Sequence, residues 1–275
     1  MVACGSSYYA GQVSEPLFKT LKCFKKFHVV DPAELDKHDI TENETVLMIS
    51  QSGETKDLIR IVDELRPMKD INTIGIINVE GSTLARKVDF PIYIKVGRET
   101  CVAATKSFFH QVLNLTQFAT EVAEQKNNAP MEMIEELRAE LRAVPNYVLE
   151  TIHNNEKNCE ALAKELHAKD SKSIFVLGKR ESMGIAREAA LKIKELNYIH
   201  AEAMGAAEMK HGPIALINSE PGHEKETVVF LFILDNETFP YCLNALDQMH
   251  SRNAFVVVIT DCLHILEKNF DNELA

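Results

Sequence analysis

Short, β-branched apolar runs recur along the chain and alternate with stretches of helical periodicity. The runs are VLMIS from Val46, TIGIIN from Thr73, PIYIKV from Pro91, SIFVLG from Ser173, VVFLFIL from Val228 and AFVVVIT from Ala254. They are apolar throughout rather than alternating, which suits strands covered on both faces, as parallel sheets are. Between two of them, KDLIRIVDELRPM sets Leu58, Ile61, Val62 and Leu65 on one helical face, with Pro67 as the stop. A long apolar-striped helix is predicted over residues 103–125. Residues 131–168 carry enough Glu, Leu, Ala and Lys for two more helices, broken near Pro145. The pattern predicts an α/β fold in two strand-bearing halves separated by a helical stretch.

The halves read as distant repeats. VACGSSYYAG near the start and FVLGKRESMGIA from Phe175 both run strand, glycine, polar loop, helix. LMISQSGETKD and FLFILDNET both pair a strand with a polar turn. Two copies of one α/β unit are therefore predicted, from pattern more than from identities. The second copy lacks a serine-rich loop, so only the first is expected to hold an anion.

Composition bounds the function. With 275 residues, 45% apolar and 26% charged, the chain has room for one large or two modest domains with full cores. A formal charge of −11 argues against a nucleic-acid or acidic-membrane surface, which needs a basic face. A small anionic ligand is still allowed, because a local pocket of backbone amides does not depend on overall charge. No run approaches the ~18 apolar residues of a membrane span, and MVACGSSYYAG lacks the basic start and apolar core of a signal peptide. A cytoplasmic setting is the expectation. The cysteines at positions 4, 23, 101, 159, 242 and 262 form no C-x-x-C pair and have no histidine at a zinc spacing. Reduced core thiols are expected, with no metal and no cofactor.

The stretch ISQSGETKD, from Ile49, ends an apolar run in an unusually polar loop. Ser50, Gln51, Ser52 and Thr55 offer hydroxyls and an amide, Gly53 allows a tight turn, and a helix beginning near Thr55 would aim its free N–H groups at the loop. A helix cap alone would need only Ser52 or Thr55. The second loop, CGSS at 4–7, also follows a predicted strand and leads into a helix, and two neighbouring hydroxyl loops favour a phosphate site at strand carboxyl ends. With no P-loop lysine and no G-x-G-x-x-G, a nucleotide is disfavoured.

In EAALKIKELNYIHAEAMGAAEMKHGPIALI, from Glu188, the residues Glu188, Lys192 and Glu195 share one stripe of a predicted helix. Leu191, Ile193 and Leu196 are expected to supply its apolar contacts. Taken alone, such a stripe reads as a salt-bridged solvent face, and His211 before Gly-Pro reads as a loop histidine.

CGSS, SQSGET, VAATKS at 102–107 and above all LKIKELNYIHAEAMGAAEMKHGPIALI resemble the isomerase domain of the glutamine–fructose-6-phosphate aminotransferase family. The similarity keeps the family's order and spacing through nearly the whole chain. It implies two sugar isomerase (SIS) domains, each a flavodoxin-like parallel sheet with helices on both faces. The domains would span residues 1–130 and 171–275, the second incomplete at its C-terminus, with a helical connection over 131–170. It implies further that Ser6, Ser7, Ser50, Gln51, Ser52 and Thr55 bind the sugar phosphate and that Val102 touches the sugar. Ser6 stands where the family usually has threonine and keeps the hydroxyl. Glu195 matches the base that moves a proton between C1 and C2 of the open-chain imine, and Lys192 is placed to assist it or keep it ionised. His211 matches the residue that opens the sugar ring from the partner subunit, which implies a homodimer. The implied reaction joins fructose 6-phosphate and ammonia into glucosamine 6-phosphate, in hexosamine biosynthesis leading to UDP-N-acetylglucosamine.

The match departs from the family at both ends. The family begins with a glutaminase domain, whereas this chain starts on a predicted strand and Cys4 belongs to the CGSS loop, so glutamine hydrolysis is not expected of it. The family also continues past AFVVVITD to a tail lysine that engages the substrate, and no equivalent follows Ala275. Two alternatives therefore stand beside the aminotransferase reading. One is a SIS-type amino-sugar deaminase or deglycase. The other is a non-catalytic sugar-phosphate-binding protein.

Overall fold

The computed structural model describes residues 1–169, 171, 173–217 and 227–269. The chain divides into two compact units, Met1–Tyr147 and Val148–Ala275, and each is a layered α/β body of its own.

The first unit is built on a parallel sheet of β1 (Thr45–Ser50), β2 (Asn72–Ile77) and β3 (Phe90–Tyr93), in that order. Where the sequence predicts a strand before CGSS, there is a shorter feature: Val2 makes one parallel bridge to Val30 and another to Met48. Val2 N–H donates to the Leu47 carbonyl at 2.8 Å, and Ile49 N–H donates back to the Val2 carbonyl at 3.1 Å. Across the sheet the order is thus Val30, Val2, β1, β2, β3, the 2-1-3-4-5 order of a flavodoxin-like sheet.

Alternate residues of β1 enter different cores, as a strand period of two requires. Val46 and Met48 pack with Leu58, Ile61, Val62 and Leu65 of α2 (Lys56–Leu65) and with Leu84 of α3 (Thr83–Lys87). Leu47 and Ile49 pack on the other side with Phe18 of α1 (Gly5–Thr20), Leu115 and Ala119 of α4 (Lys106–Gln125), and Ile134. The four apolar positions read from KDLIRIVDELRPM are all buried, each stabilising by roughly 1.5–3 kcal/mol. The helix ends at Leu65, two residues before Pro67.

In the second unit the sheet order is β5-β4-β6-β7, all parallel. The strands are β4 (Ser173–Gly178), β5 (His200–Gly205), β6 (Val228–Ile233) and β7 (Phe255–Thr260). This is the first four positions of the same 2-1-3-4-5 order, so β4 corresponds to the Val2 segment and β6 to β1. Phe175, Leu177, Val229 and Leu231 pack with Cys242, Ala245, Leu246 and Met249 of α7 (Phe239–His250). Ile174, Val176 and Val228 pack with Ala186 and Ala190 of α6 (Glu181–Asn197). The unit's last helix among the described residues is α8 (Leu263–Asn269). The expected incompleteness at the C-terminal end lies beyond residue 269, outside the described residues.

Several expectations need correction. Residues 131–168 do not break into two helices: α5 runs unbroken from Met131 to Lys169 with Pro145 inside it. Proline's fixed φ is a helical value, so one ring among strong helix formers removes a hydrogen bond without ending the helix. HAEAMG forms a strand the apolar-run reading missed, because its Ala, Glu and Met residues lack β-branching. Leu196 is exposed rather than packed. Cys101 and Cys159 are exposed too, while Cys23, Cys242 and Cys262 are buried as expected and Cys4 is intermediate.

An uninterrupted α5 makes a direct prediction. Pro145 is exposed, so Pro145→Ala restores one helical hydrogen bond and is expected to stabilise the protein by about 1–3 kcal/mol in urea unfolding. A neutral or destabilising outcome would favour a break at that point.

Candidate functional site

The parallel bridge pairs Val2 with Met48, so two residues further on Cys4 comes level with Ser50. The CGSS and SQSGET loops therefore leave neighbouring strands at the same carboxyl edge. Each opens directly into a helix, α1 from Gly5 and α2 from Lys56. Neither Cys4 nor Thr55, the residues at the two N-caps, makes a side-chain capping bond. First-turn N–H groups have no intrahelical partner, so the idea that these hydroxyls merely cap their helices finds no support in the geometry.

Inside SQSGET the hydroxyls hold the loop's shape. The Ser50 hydroxyl accepts from Gly53 N–H at 2.9 Å and lies 3.2 Å from the Thr55 hydroxyl. The Ser52 hydroxyl accepts from Glu54 N–H at 3.1 Å, and Gln51 is half-buried beside it. Gly53 has φ +65°, and a Cβ there would stand 2.0 Å from the Ser82 hydroxyl and 2.6 Å from the Ser82 Cβ. Only glycine fits. The next loop clamps this one: Leu84 N–H donates to the Gly53 carbonyl at 2.9 Å, and Thr83 N–H to the Glu54 carboxylate at 2.8 Å. The bond from Thr83 holds the Glu54 carboxyl below its ordinary range.

In CGSS, Gly5 takes φ +53°, which starts α1 so early that Ser6 and Ser7 lie in its first turn. Ser7 is buried, and its hydroxyl accepts from Gln111 Nε2 of α4 at 3.0 Å. The Cys4 thiol is pushed up to about 11, mainly by burial and then by Asp31 and Asp57, so at neutral pH it adds no charge to the loop.

Val102 is 88% exposed in the loop before α4 rather than packed against the core. That loop is fixed instead by Glu99, a residue the sequence reading passed over. Its carboxylate accepts from Ser107 N–H at 3.0 Å, the Ser107 hydroxyl at 2.6 Å, Thr105 N–H at 3.4 Å and the Thr105 hydroxyl at 3.3 Å. Burial raises the Glu99 pKa, but the bonds from Ser107 and Thr105 outweigh it and leave the carboxyl below its ordinary value.

In the second unit, Glu188, Lys192 and Glu195 do share one side of α6. Lys192 Nζ is 3.1 Å from Glu188 Oε1 and 2.7 Å from Glu195 Oε2. Glu188 is buried while Lys192 and Glu195 are half-buried, so this is not the solvated salt-bridge face that spacing alone suggests. One lysine side chain thus bridges the two carboxyl groups of the stripe. His211 ends the short 3-10 turn Met209–His211 and is exposed. Its N–H donates to the Glu208 carbonyl at 2.8 Å, and Gly212 follows at φ +145°.

Among the described residues no group of His, Cys, Asp and Glu is placed to hold a metal, and no helix is long and apolar enough to cross a membrane.

Residues 1–121 and 168–274 match the family described as SIS domain. The glutamine–fructose-6-phosphate aminotransferase (isomerizing) of Clostridium tetani is 33% identical over 94% of this chain and 41% of its own. The chain thus spans about two-fifths of the length of the curated relatives it matches. Among solved structures, the C-terminal domain of glucosamine-fructose-6-phosphate aminotransferase from Francisella tularensis superposes with a TM-score of 0.89 at 28% identity, covering 98% of this chain and 74% of that one. Glucosamine-6-phosphate deaminase from Thermotoga maritima gives 0.74 at 25% identity, covering 94% and 75%.

Two outcomes are expected. Gly53→Ala forces both a positive φ and a clash that rotating Ser82 cannot relieve, and should cost about 2–4 kcal/mol in urea unfolding. The Glu99 carboxyl is depressed in the folded state, so its contribution is present above the ordinary glutamate value of about 4.5 and lost as pH falls through the lower folded value. Wild type should therefore exceed Glu99→Gln in unfolding midpoint at neutral pH, with the gap closing in acid.

Proposed function

We propose, for a chain that belongs to the SIS domain family, that it is the isomerase part of a glutamine–fructose-6-phosphate aminotransferase. On this reading it binds fructose 6-phosphate and, given ammonia, forms glucosamine 6-phosphate. The observation that carries the reading is the pair of hydroxyl loops at one sheet edge, each opening a helix whose N-cap residue makes no side-chain capping bond. Ser6, Ser7, Ser50, Gln51, Ser52 and Thr55 take the phosphate, supplying hydroxyl and backbone donors to an anion without adding charge. Val102 touches the sugar.

Glu195 is the base. It takes the C1 proton of the open-chain imine and returns a proton to C2, so the ketose-derived imine becomes a 2-amino aldose. Lys192 pairs with the carboxylate and steadies its charge. His211 opens the ring from the partner subunit of a homodimer, a role supported by its exposure beyond the end of β5. A cytoplasmic setting goes with this reading, as does a place in the synthesis of amino sugars.

A second reading, an amino-sugar deaminase, is favoured by the Thermotoga maritima neighbour of that name. The two run related imine chemistry in opposite directions, and an assay in both directions separates them.

Glu195→Gln should lower formation of glucosamine 6-phosphate from fructose 6-phosphate and ammonia by about 10²–10⁴-fold. Undiminished turnover would remove Glu195 from its role. If His211 acts across the dimer, mixing inactive Glu195→Gln and His211→Ala chains should restore about a quarter of wild-type activity, since half the random dimers hold one complete site. No recovery after subunit exchange would assign His211 to its own subunit.

A further inference from the structure

We infer that Gln111 is a positioning residue that sets the polarity of the Ser7 hydroxyl, so that Ser7 keeps its hydrogen to donate to whatever enters the CGSS loop. The inference rests on the reading of that loop as a phosphate cradle.

Gln111 lies on the buried stripe of α4 with Leu115, Ala119 and Ala123, and is itself 1% exposed. Its Nε2 donates to Ser7 Oγ at 3.0 Å, across 104 residues of sequence. A hydroxyl has one hydrogen and two lone pairs. With one lone pair filled by the amide, the Ser7 hydrogen is left for another acceptor. The opposite amide orientation would draw that hydrogen into Gln111 Oε1, leaving Ser7 to present only lone pairs to an anion, which repels it.

Gln111 also carries a cost that packing does not explain. Its Oε1 is buried and makes no hydrogen bond, whereas leucine or methionine would fill the same position with no polar atom to desolvate. A buried amide with one end unpaired and the other on a loop hydroxyl fits a residue kept for what it does to that hydroxyl.

The test is calorimetric titration of the full chain with fructose 6-phosphate, with urea midpoints measured alongside. Gln111→Met should bind about 10-fold more weakly with an undiminished midpoint. Gln111→Glu, whose carboxylate captures the Ser7 hydrogen, should lose more. In a Ser7→Ala background Gln111→Met should have no further effect, because the glutamine acts through that hydroxyl. Wild-type affinity in either Gln111 variant, or an undiminished effect of Gln111→Met when Ser7 is already alanine, overturns the inference. If Gln111→Glu does not fold, Gln111→Met and the Ser7→Ala background still decide. If Ser7→Ala weakens binding while the Gln111 variants do not, the cradle stands and the inference alone fails. A wild-type protein that ignores the sugar phosphate at millimolar levels fails both.

Discussion

Everything assigned to the first unit depends on where the Val2 segment sits. Two backbone hydrogen bonds, Val2 N–H to Leu47 and Ile49 N–H to Val2, lock it parallel to β1 in one register. A slip of one residue would turn Val2 away from the core it shares with Met48 and Leu58. The same register brings Cys4 level with Ser50, and only then do two loops distant in sequence open at one edge. Burial of a few apolar side chains thus determines where hydroxyls and helix N-termini collect. The flavodoxin-like order does the rest, because at the Val2–β1 junction the chain connections diverge to opposite faces and leave a crevice.

The second unit shows what the repeat conserves and what it does not. Its sheet order repeats the first four positions of the other, with β4 and β6 in the places of the Val2 segment and β1. The loops that follow them are chemically different. Arg180 after β4 pairs with Glu237 after β6, and the Thr238 hydroxyl is bound to Asn236 at 2.6 Å. Where the first unit gathers hydroxyls and helix N-termini at this junction, the second spans it with an ion pair. That is the physical content of the prediction that only one copy holds an anion.

Much of this was legible in the sequence because it rests on periodicity. The six apolar runs all became strands, and Leu58, Ile61, Val62 and Leu65 form the face their spacing implies, since burial on both sides of a parallel sheet leaves an unmistakable pattern. SQSGET was readable because glycine and clustered hydroxyls have few other uses at the end of a buried strand. The strand HAEAMG was not, since alanine and glutamate carry no strand signal and its place is set by pairing with β4. The path through Pro145 was misread because a local rule about proline gave way to the helix propensity around it. Glu99 and Gln111 were hard to see for a different reason: Gln111 acts on a partner 104 residues away in sequence, and Glu99 on hydroxyls and N–H groups at the start of the following helix, contacts with no periodic signature. A polar residue on an otherwise apolar helical stripe, as Gln111 is with Leu115 and Ala119, was the one clue available.

The choice of donors follows from the overall charge. A chain carrying −11 gains nothing from its long-range field when it meets an anion, so attraction has to come from groups within hydrogen-bonding distance. A lysine would serve at short range, but near Asp31 and Asp57, which already push the Cys4 thiol upward, it would pair internally and offer the ligand less. Hydroxyls and backbone N–H groups have no charge to be neutralised, and their strength depends on direction instead. Direction is what the structure fixes, through Gly53 packed against Ser82, Glu54 on Thr83 and Gln111 on Ser7. A cradle of this kind loses little to its acidic surroundings and is sensitive to the geometry of its supports.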